Sequence, residues 1–226
     1  MQKVSNLKAF CYDEDMSKYK LLILDYGGVY SFGYDVANFG KIMQKVFGRE
    51  PTSFEKADIS LLSRKLGANE IDSSEYVKAV TSILGVKGVP TTELFEDTTI
   101  SVTAPPSPEM MELVQKVRMS GIKVSLLSDM YEFEIKKTRP MGRYDGLDYV
   151  SLSAEIGLIK RDPKALQTTL DYFQFKPDEA LFVDDVHEYT NNASSLGIDV
   201  IWADKNIYKN PIELVQKILD ELNKGV

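Results

Sequence analysis

Two acidic positions in this 226-residue chain stand where acids do chemistry. Asp25 follows the aliphatic run Leu21-Leu22-Ile23-Leu24 and precedes Tyr26-Gly27-Gly28, while Asp184-Asp185 follow Leu181-Phe182-Val183. An unbroken aliphatic run predicts a strand buried on both faces, the state of a central strand in a parallel sheet. A carboxylate at the carboxyl end of such a strand lies in the crevice where open α/β sheets bind ligands. The glycines let the backbone turn sharply and bring N–H groups near a bound anion. A polar turn ending an ordinary strand accounts for Asp25 equally well. The second position is less neutral: adjacent carboxylates at a buried strand end repel, and must be paired, hydrated or bound to a cation. Oxygen ligands from Asp25 with Asp184 or Asp185 suit Mg2+, which takes few protein carboxylates and keeps several waters.

Further polar groups stand at strand ends or helix entries. Ser128-Asp129 close the run Val124-Ser125-Leu126-Leu127, and the Ser128 hydroxyl is a compact donor for a phosphate oxygen or a cap for the helix that follows. Lys160, in Gly157-Leu158-Ile159-Lys160-Arg161-Asp162-Pro163, could neutralise a phosphate or hold Asp25 ionised, or could simply be solvated.

These residues need elements to place them. The pattern predicts strands at 20–25, Ile122–Leu127, Tyr149–Leu152, Ala180–Val183 and Val200–Trp202, alternating after residue 107 with helices at 108–119, Tyr131–Lys137, Pro163–Phe173, Glu188–Leu196 and Pro211–Asn223. Alternation of this kind marks βαβ units and a parallel sheet. Between the first two strands, residues 35–103 read as helical: Val36–Phe47, Phe54–Leu66, a start at Asp72-Ser73-Ser74-Glu75 running to Gly85, and Glu93–Thr99. The expectation is an α/β, Rossmann-like core (19–34 and 104–226), a helical subdomain (35–103) over the first strand's end, and a leader (1–18) with a short strand around Ala9–Tyr12. Arg64, Lys65 and Asn69 in the subdomain could reach a substrate or form solvated helix faces.

Composition narrows the function classes. With 43% hydrophobic and 27% charged residues the chain is an ordinary globular protein. A net charge of −7 without a basic block argues against nucleic acid or anionic membrane as a partner, and leaves room for a small phosphorylated substrate held by local cations. Cys11, the only cysteine, excludes an internal disulfide and a cysteine-rich metal site. With no signal peptide or membrane-length apolar run in view, the expected location is cytoplasmic.

In order and spacing, Leu24-Asp25-Tyr26-Gly27-Gly28-Val29, Leu127-Ser128-Asp129, the Lys160 segment and Phe182-Val183-Asp184-Asp185 resemble the motifs of the haloacid dehalogenase-like (HAD) hydrolase superfamily, from about residue 19 onward. The helical insertion falls where one branch of that family carries its cap. The resemblance implies that Asp25 is a nucleophile forming an aspartyl-phosphate and that Ser128 and Lys160 hold the phosphoryl group, alongside Tyr26, Gly27 and Asp129. It further implies that Asp25, the Gly27 carbonyl, Asp184 and Asp185 hold Mg2+.

The family's phosphatases usually carry a second Asp, an acid–base group, where this chain has Gly27. Tyr26, Tyr30, Asp35 and His187 are the available substitutes. A Mg2+-dependent phosphatase of a small metabolite is therefore weighed against two other readings. One is a phosphate- and metal-binding regulatory protein with little turnover. The other is a 2-haloacid dehalogenase, disfavoured because that branch needs no metal and places Tyr one position later than Tyr26.

Overall fold

A computed structural model describes residues 18–32 and 37–225. Asp35, Val36, Cys11 and the strand expected around Ala9–Tyr12 lie outside them, as does the leader apart from Lys18.

Five parallel strands, β1 (Leu21–Leu24), β2 (Lys123–Ser128), β3 (Tyr149–Leu152), β4 (Ala180–Asp184) and β5 (Asp199–Trp202), form one sheet in the order β3-β2-β1-β4-β5. The aliphatic run is thus the central strand. Successive side chains of a strand point to opposite faces, and each face of β1 has its own cover. Leu22 and Leu24 pack with helices α5 (Pro108–Met119) and α10 (Pro211–Leu222), through Leu113, Val117, Leu214 and Ile218. Leu21 and Ile23 pack with α8 (Pro163–Phe173) and α9 (His187–Ser195), through Leu166, Leu170 and Ala193. Two further helices, α6 (Glu132–Thr138) and the single turn α7 (Ser153–Ile156), complete this half. The short turn α7 was not foreseen, because four residues carry no periodicity.

The inserted segment forms α1 (Ala37–Phe47), α2 (Ser53–Gly67), α3 (Ser73–Leu84) and α4 (Thr92–Val102). Its starts follow from capping chemistry. The side chains of Thr52 and Asp72 accept from the N–H groups of Glu55 and Glu75, whose carboxylates return the bond, and Gly85 ends α3 in the left-handed region at φ 61°. Met43, Ile59, Leu66, Tyr76, Val80 and Phe95 give this block a hydrophobic cluster of its own. It meets the sheet domain through α6, where Phe133 packs edge-on against Phe95 at 5.5 Å between ring centres. Among the described residues no helix is long and apolar enough to cross a membrane.

Candidate active site

Strand register brings the acids together. Leu24 pairs with Leu126 on one side and Val183 on the other, so Asp25 and Asp184 emerge side by side, with Ser128 on the flanking strand. The Asp25 N–H still reaches across to Val183 O (2.9 Å), which fixes its backbone to β4. After Asp25 the chain closes a tight turn, with Tyr30 N donating to Asp25 O (3.1 Å), Ser31 N to Tyr26 O (2.6 Å) and Gly28 N to Ser31 O (3.1 Å). Gly28 has φ +77°, and a Cβ there would lie 2.5 Å from Asp185 Oδ2. Glycine is required at 28 on both counts. Gly27 is not in the left-handed region.

Lys160 ties the centre. Its Nζ lies 2.6 Å from Asp25 Oδ1 and 2.6 Å from Asp184 Oδ2, and it is only 4% exposed. Burial opposes its charge, but Asp184, Asp25 and then Asp129 outweigh burial and raise the ammonium above its ordinary range. Lys160 is therefore a fixed cation. Asp25 Oδ1 also accepts from Tyr26 N (2.7 Å), and Asp184 Oδ1 from Val186 N (2.8 Å). Burial pushes the Asp25 carboxyl well up, Lys160 opposes this, and Asp184 and Asp185 add to it. Burial, then Asp184, raises Asp185 to about 6.

Asp25, Asp184 and Asp185 each offer an oxygen within 4.8 Å of the others. One lysine does not balance three converging carboxylates, and an all-oxygen donor set suits a hard divalent cation such as Mg2+. A bound cation would also return the raised carboxyls to the ionised form.

The other expected residues divide. Ser128, 4% exposed, ends β2 and does not cap α6, whose N-cap is Tyr131. Its hydroxyl has no protein hydrogen-bond partner among the described residues and remains available to a ligand. Asp129 is exposed, and its carboxylate holds the Lys160 loop: Oδ1 accepts from Lys160 N at 2.7 Å. The Tyr26 phenol is buried and turned away from the cluster to Ala104 O (2.9 Å), which leaves only its backbone facing the acid. His187 is exposed, its ring edge-on to Trp202 (4.6 Å) and its Nδ1 beside Asn191 Nδ2 (3.2 Å). Arg64 is half-buried; Lys65 and Asn69 are exposed.

Two side chains escaped sequence reasoning. The Tyr189 ring lies under Lys160 Nζ at 4.9 Å while its hydroxyl donates to Asp129 Oδ2 at 3.4 Å, covering the lysine from the α9 side. Trp202 Nε1 donates to Asp185 O (3.0 Å) and steadies that backbone. The first lies five residues past Asp184, on the first turn of α9, a weak signal; the second carried none. An open cavity of about 460 Å³ beside Arg118, Lys123 and Asp148 lies at the opposite end of β2, and its charges are paired with one another.

The profile of haloacid dehalogenase-like hydrolases matches residues 20–188. The chain belongs to that family. Among solved structures it is similar to a predicted HAD-like family hydrolase from Porphyromonas gingivalis (19% identity, 90% of this chain and 98% of that one, TM-score 0.71). It is also similar to a HAD family enzyme from Bacteroides thetaiotaomicron in complex with magnesium and inorganic phosphate (20%, 81% and 93%, TM-score 0.62). L-2-haloacid dehalogenase from Xanthobacter autotrophicus is more distant (17%, 80% and 76%, TM-score 0.53). At these identities the likeness establishes the fold alone. A curated relative, mouse acyl-CoA dehydrogenase family member 10, is 28% identical over 118 residues; the match spans 52% of this chain and 11% of that protein.

Proposed function

We propose that this HAD hydrolase is a Mg2+-dependent phosphatase of a small phosphorylated substrate, with the helical block (35–103) as its cap. The observation that carries the reading is the convergence of Asp25, Asp184 and Asp185 on one point beside the buried Lys160. Three carboxylates in one crevice repel an anionic substrate until a divalent cation is present, which favours a metal-dependent phosphatase over a dehalogenase that needs no metal. Asp25, Asp184 and Asp185, with the Gly27 carbonyl by resemblance, would hold Mg2+, which would supply charge neutralisation and orient the phosphate.

The chain's own groups then do the following. Lys160 and the Tyr26 N–H fix Asp25 Oδ1, leaving Oδ2 to attack. The Oδ2–P bond forms as the bond from phosphorus to the ester oxygen breaks, and the departing oxygen takes its proton from solvent because Gly27 has no side chain to give one. Water then attacks phosphorus, the Asp25–P bond breaks, the carboxylate is restored and the proton leaves to solvent. Ser128 and Lys160 meet the charge on the non-bridging oxygens, so catalysis is mainly positioning and charge stabilisation.

Phosphate release from aryl and alkyl monoesters, with and without Mg2+ and with Asp25→Asn as control, tests the reading. Activity that needs both Mg2+ and Asp25 and favours aryl esters is expected. Metal-independent chloride release from a 2-haloacid would replace it with the dehalogenase. Mg2+ and phosphate binding without product would replace it with the regulatory protein, the reading favoured by the missing side chain at Gly27.

A further inference from the structure

The linker that returns the helical block to the sheet is gripped from the core side. Tyr26 Oη and Ser31 Oγ each donate to Ala104 O at 2.9 Å. Arg143 Nη1 donates to Thr103 O (2.9 Å) and Ala104 O (3.3 Å) and reaches Tyr26 Oη at 3.4 Å. The buried Glu134 accepts from Thr103 Oγ1 (3.0 Å), and Asn38 Nδ2, from the start of α1, donates to Val102 O (3.3 Å). Linker carbonyls are ordinarily left to water. Here three side chains converge on two consecutive ones, and two of the three come from the turn that begins at Asp25. The Tyr26 ring is itself wedged edge-on between Tyr30 (6.2 Å) and Tyr144 (6.1 Å).

We propose that Tyr26, Ser31 and Arg143 form a clasp that fixes the return linker as the cap's pivot and so sets the cap's placement above Asp25. Tyr26 and Arg143 are then positioning residues: one residue binds the nucleophile's carboxylate through its N–H and the cap's linker through its hydroxyl. The consequence for turnover rests on the phosphatase reading; the clasp does not.

The test is hydrogen exchange on the full chain, paired with kinetics on p-nitrophenyl phosphate. Tyr26→Phe keeps the ring and removes the hydroxyl. Arg143→Lys keeps the charge and loses the planar fork. Ser31→Ala removes one bond. Each hydrogen bond is expected to raise amide exchange across residues 99–107 by about three- to tenfold when lost, with β4 unchanged. In Ser31→Ala and Arg143→Lys, KM should rise by a similar factor while kcat holds within about twofold, whereas mere loss of folded protein would lower kcat and leave KM. Linker exchange unchanged in Tyr26→Phe and Ser31→Ala would overturn the clasp, as would a rise spread equally over β4. Raised linker exchange with KM unmoved would overturn the positioning role. If the unmodified protein releases no phosphate, the phosphatase reading fails and the exchange data still decide the clasp.

Discussion

Replacing Asp185 by Asn should make the metal-free protein more stable in mild alkali while removing much of its stabilisation by Mg2+. The Asp185 carboxyl stands at about 6 instead of its ordinary 3.8, raised first by burial and then by Asp184. A native-state carboxyl that resists ionisation holds its proton more tightly than the unfolded chain does. Its favourable contribution is therefore complete below the unfolded value of 3.8 and is lost as the pH climbs through about 6. At about pH 8, ionised Asp185 costs the native state about 3 kcal/mol, at about 1.4 kcal/mol per tenfold change in the proton equilibrium. Solvent reaches one side of this half-buried group, which brings the expected cost to about 2 kcal/mol. Asn keeps the shape and removes the charge. In EDTA at that pH its Tm should exceed that of the unmodified protein by about 4–8 °C, and the gap should shrink near pH 5, where Asp185 is protonated. Saturating Mg2+ reverses the order: at a hundred times Kd it adds about 2.7 kcal/mol to the unmodified protein, and less to a variant lacking one ligand. Thermal denaturation at the two pH values, with EDTA or Mg2+, reads all four quantities. Equal or lower stability of the variant in alkaline EDTA would refute the electrostatic argument, and an equal gain from Mg2+ would remove Asp185 from the metal site.

Lys160→Met takes away the ammonium 2.6 Å from both Asp25 and Asp184. Urea melts in EDTA should show a loss of about 3–5 kcal/mol, partly restored by Mg2+. Gly28→Ala imposes a side chain at φ +77° and drives its Cβ against Asp185 Oδ2. Displacing that carboxylate should weaken Mg2+ binding by about tenfold or more in a calorimetric titration, as expected for loss of a placed ligand. Gly27→Asp meets no left-handed backbone, and returns a proton donor to the position the family's phosphatases use. Phosphate release from alkyl esters should rise by about a hundredfold, and no gain would mean that another group already supplies the proton.

How much of this was legible in the sequence depended on whether a signal was local. Leu21–Leu24 and Ala180–Val183 announced buried strands because an uninterrupted apolar run has few other stable placements. The acids at their ends followed at once. Strand order was not legible, since nothing along the chain says that β1 lies between β2 and β4. The helix starts at Asp72, Ser107 and Asp162 were readable because a cap bonds to an N–H two or three residues away. Thr91, which caps α4 a residue earlier than expected, is the same chemistry without a capping box, since the position it bonds to is Leu94 and not an acid. Ser128 by itself looked more like a cap than a ligand until the backbone showed α6 beginning at Glu132. Asp129 and Tyr26, expected near phosphate, proved to have side chains committed to the Lys160 loop and the Ala104 carbonyl. Arg143 and Tyr189 act through contacts 40 and 29 residues away in sequence, and no spacing rule reaches that far.

The placement of the acids is a consequence of the core, and this links stability to chemistry. Leu24 meets Val183 in register, and β1 presents Leu22 and Leu24 to one layer of helices and Leu21 and Ile23 to the other. A slip of β4 by one residue would exchange Leu181 and Val183 with Phe182 between those layers. It would also draw Asp184 away from Asp25 by one strand repeat, about 3.3 Å, beyond the reach of a lysine that now touches both. The apolar packing therefore holds like charges at a separation they would not choose, and Lys160, 2.6 Å from both Asp25 and Asp184, makes that separation tolerable. On the phosphatase reading, a site held this way would need no rearrangement when a phosphoryl group arrives, because the opposing forces were balanced when the sheet formed.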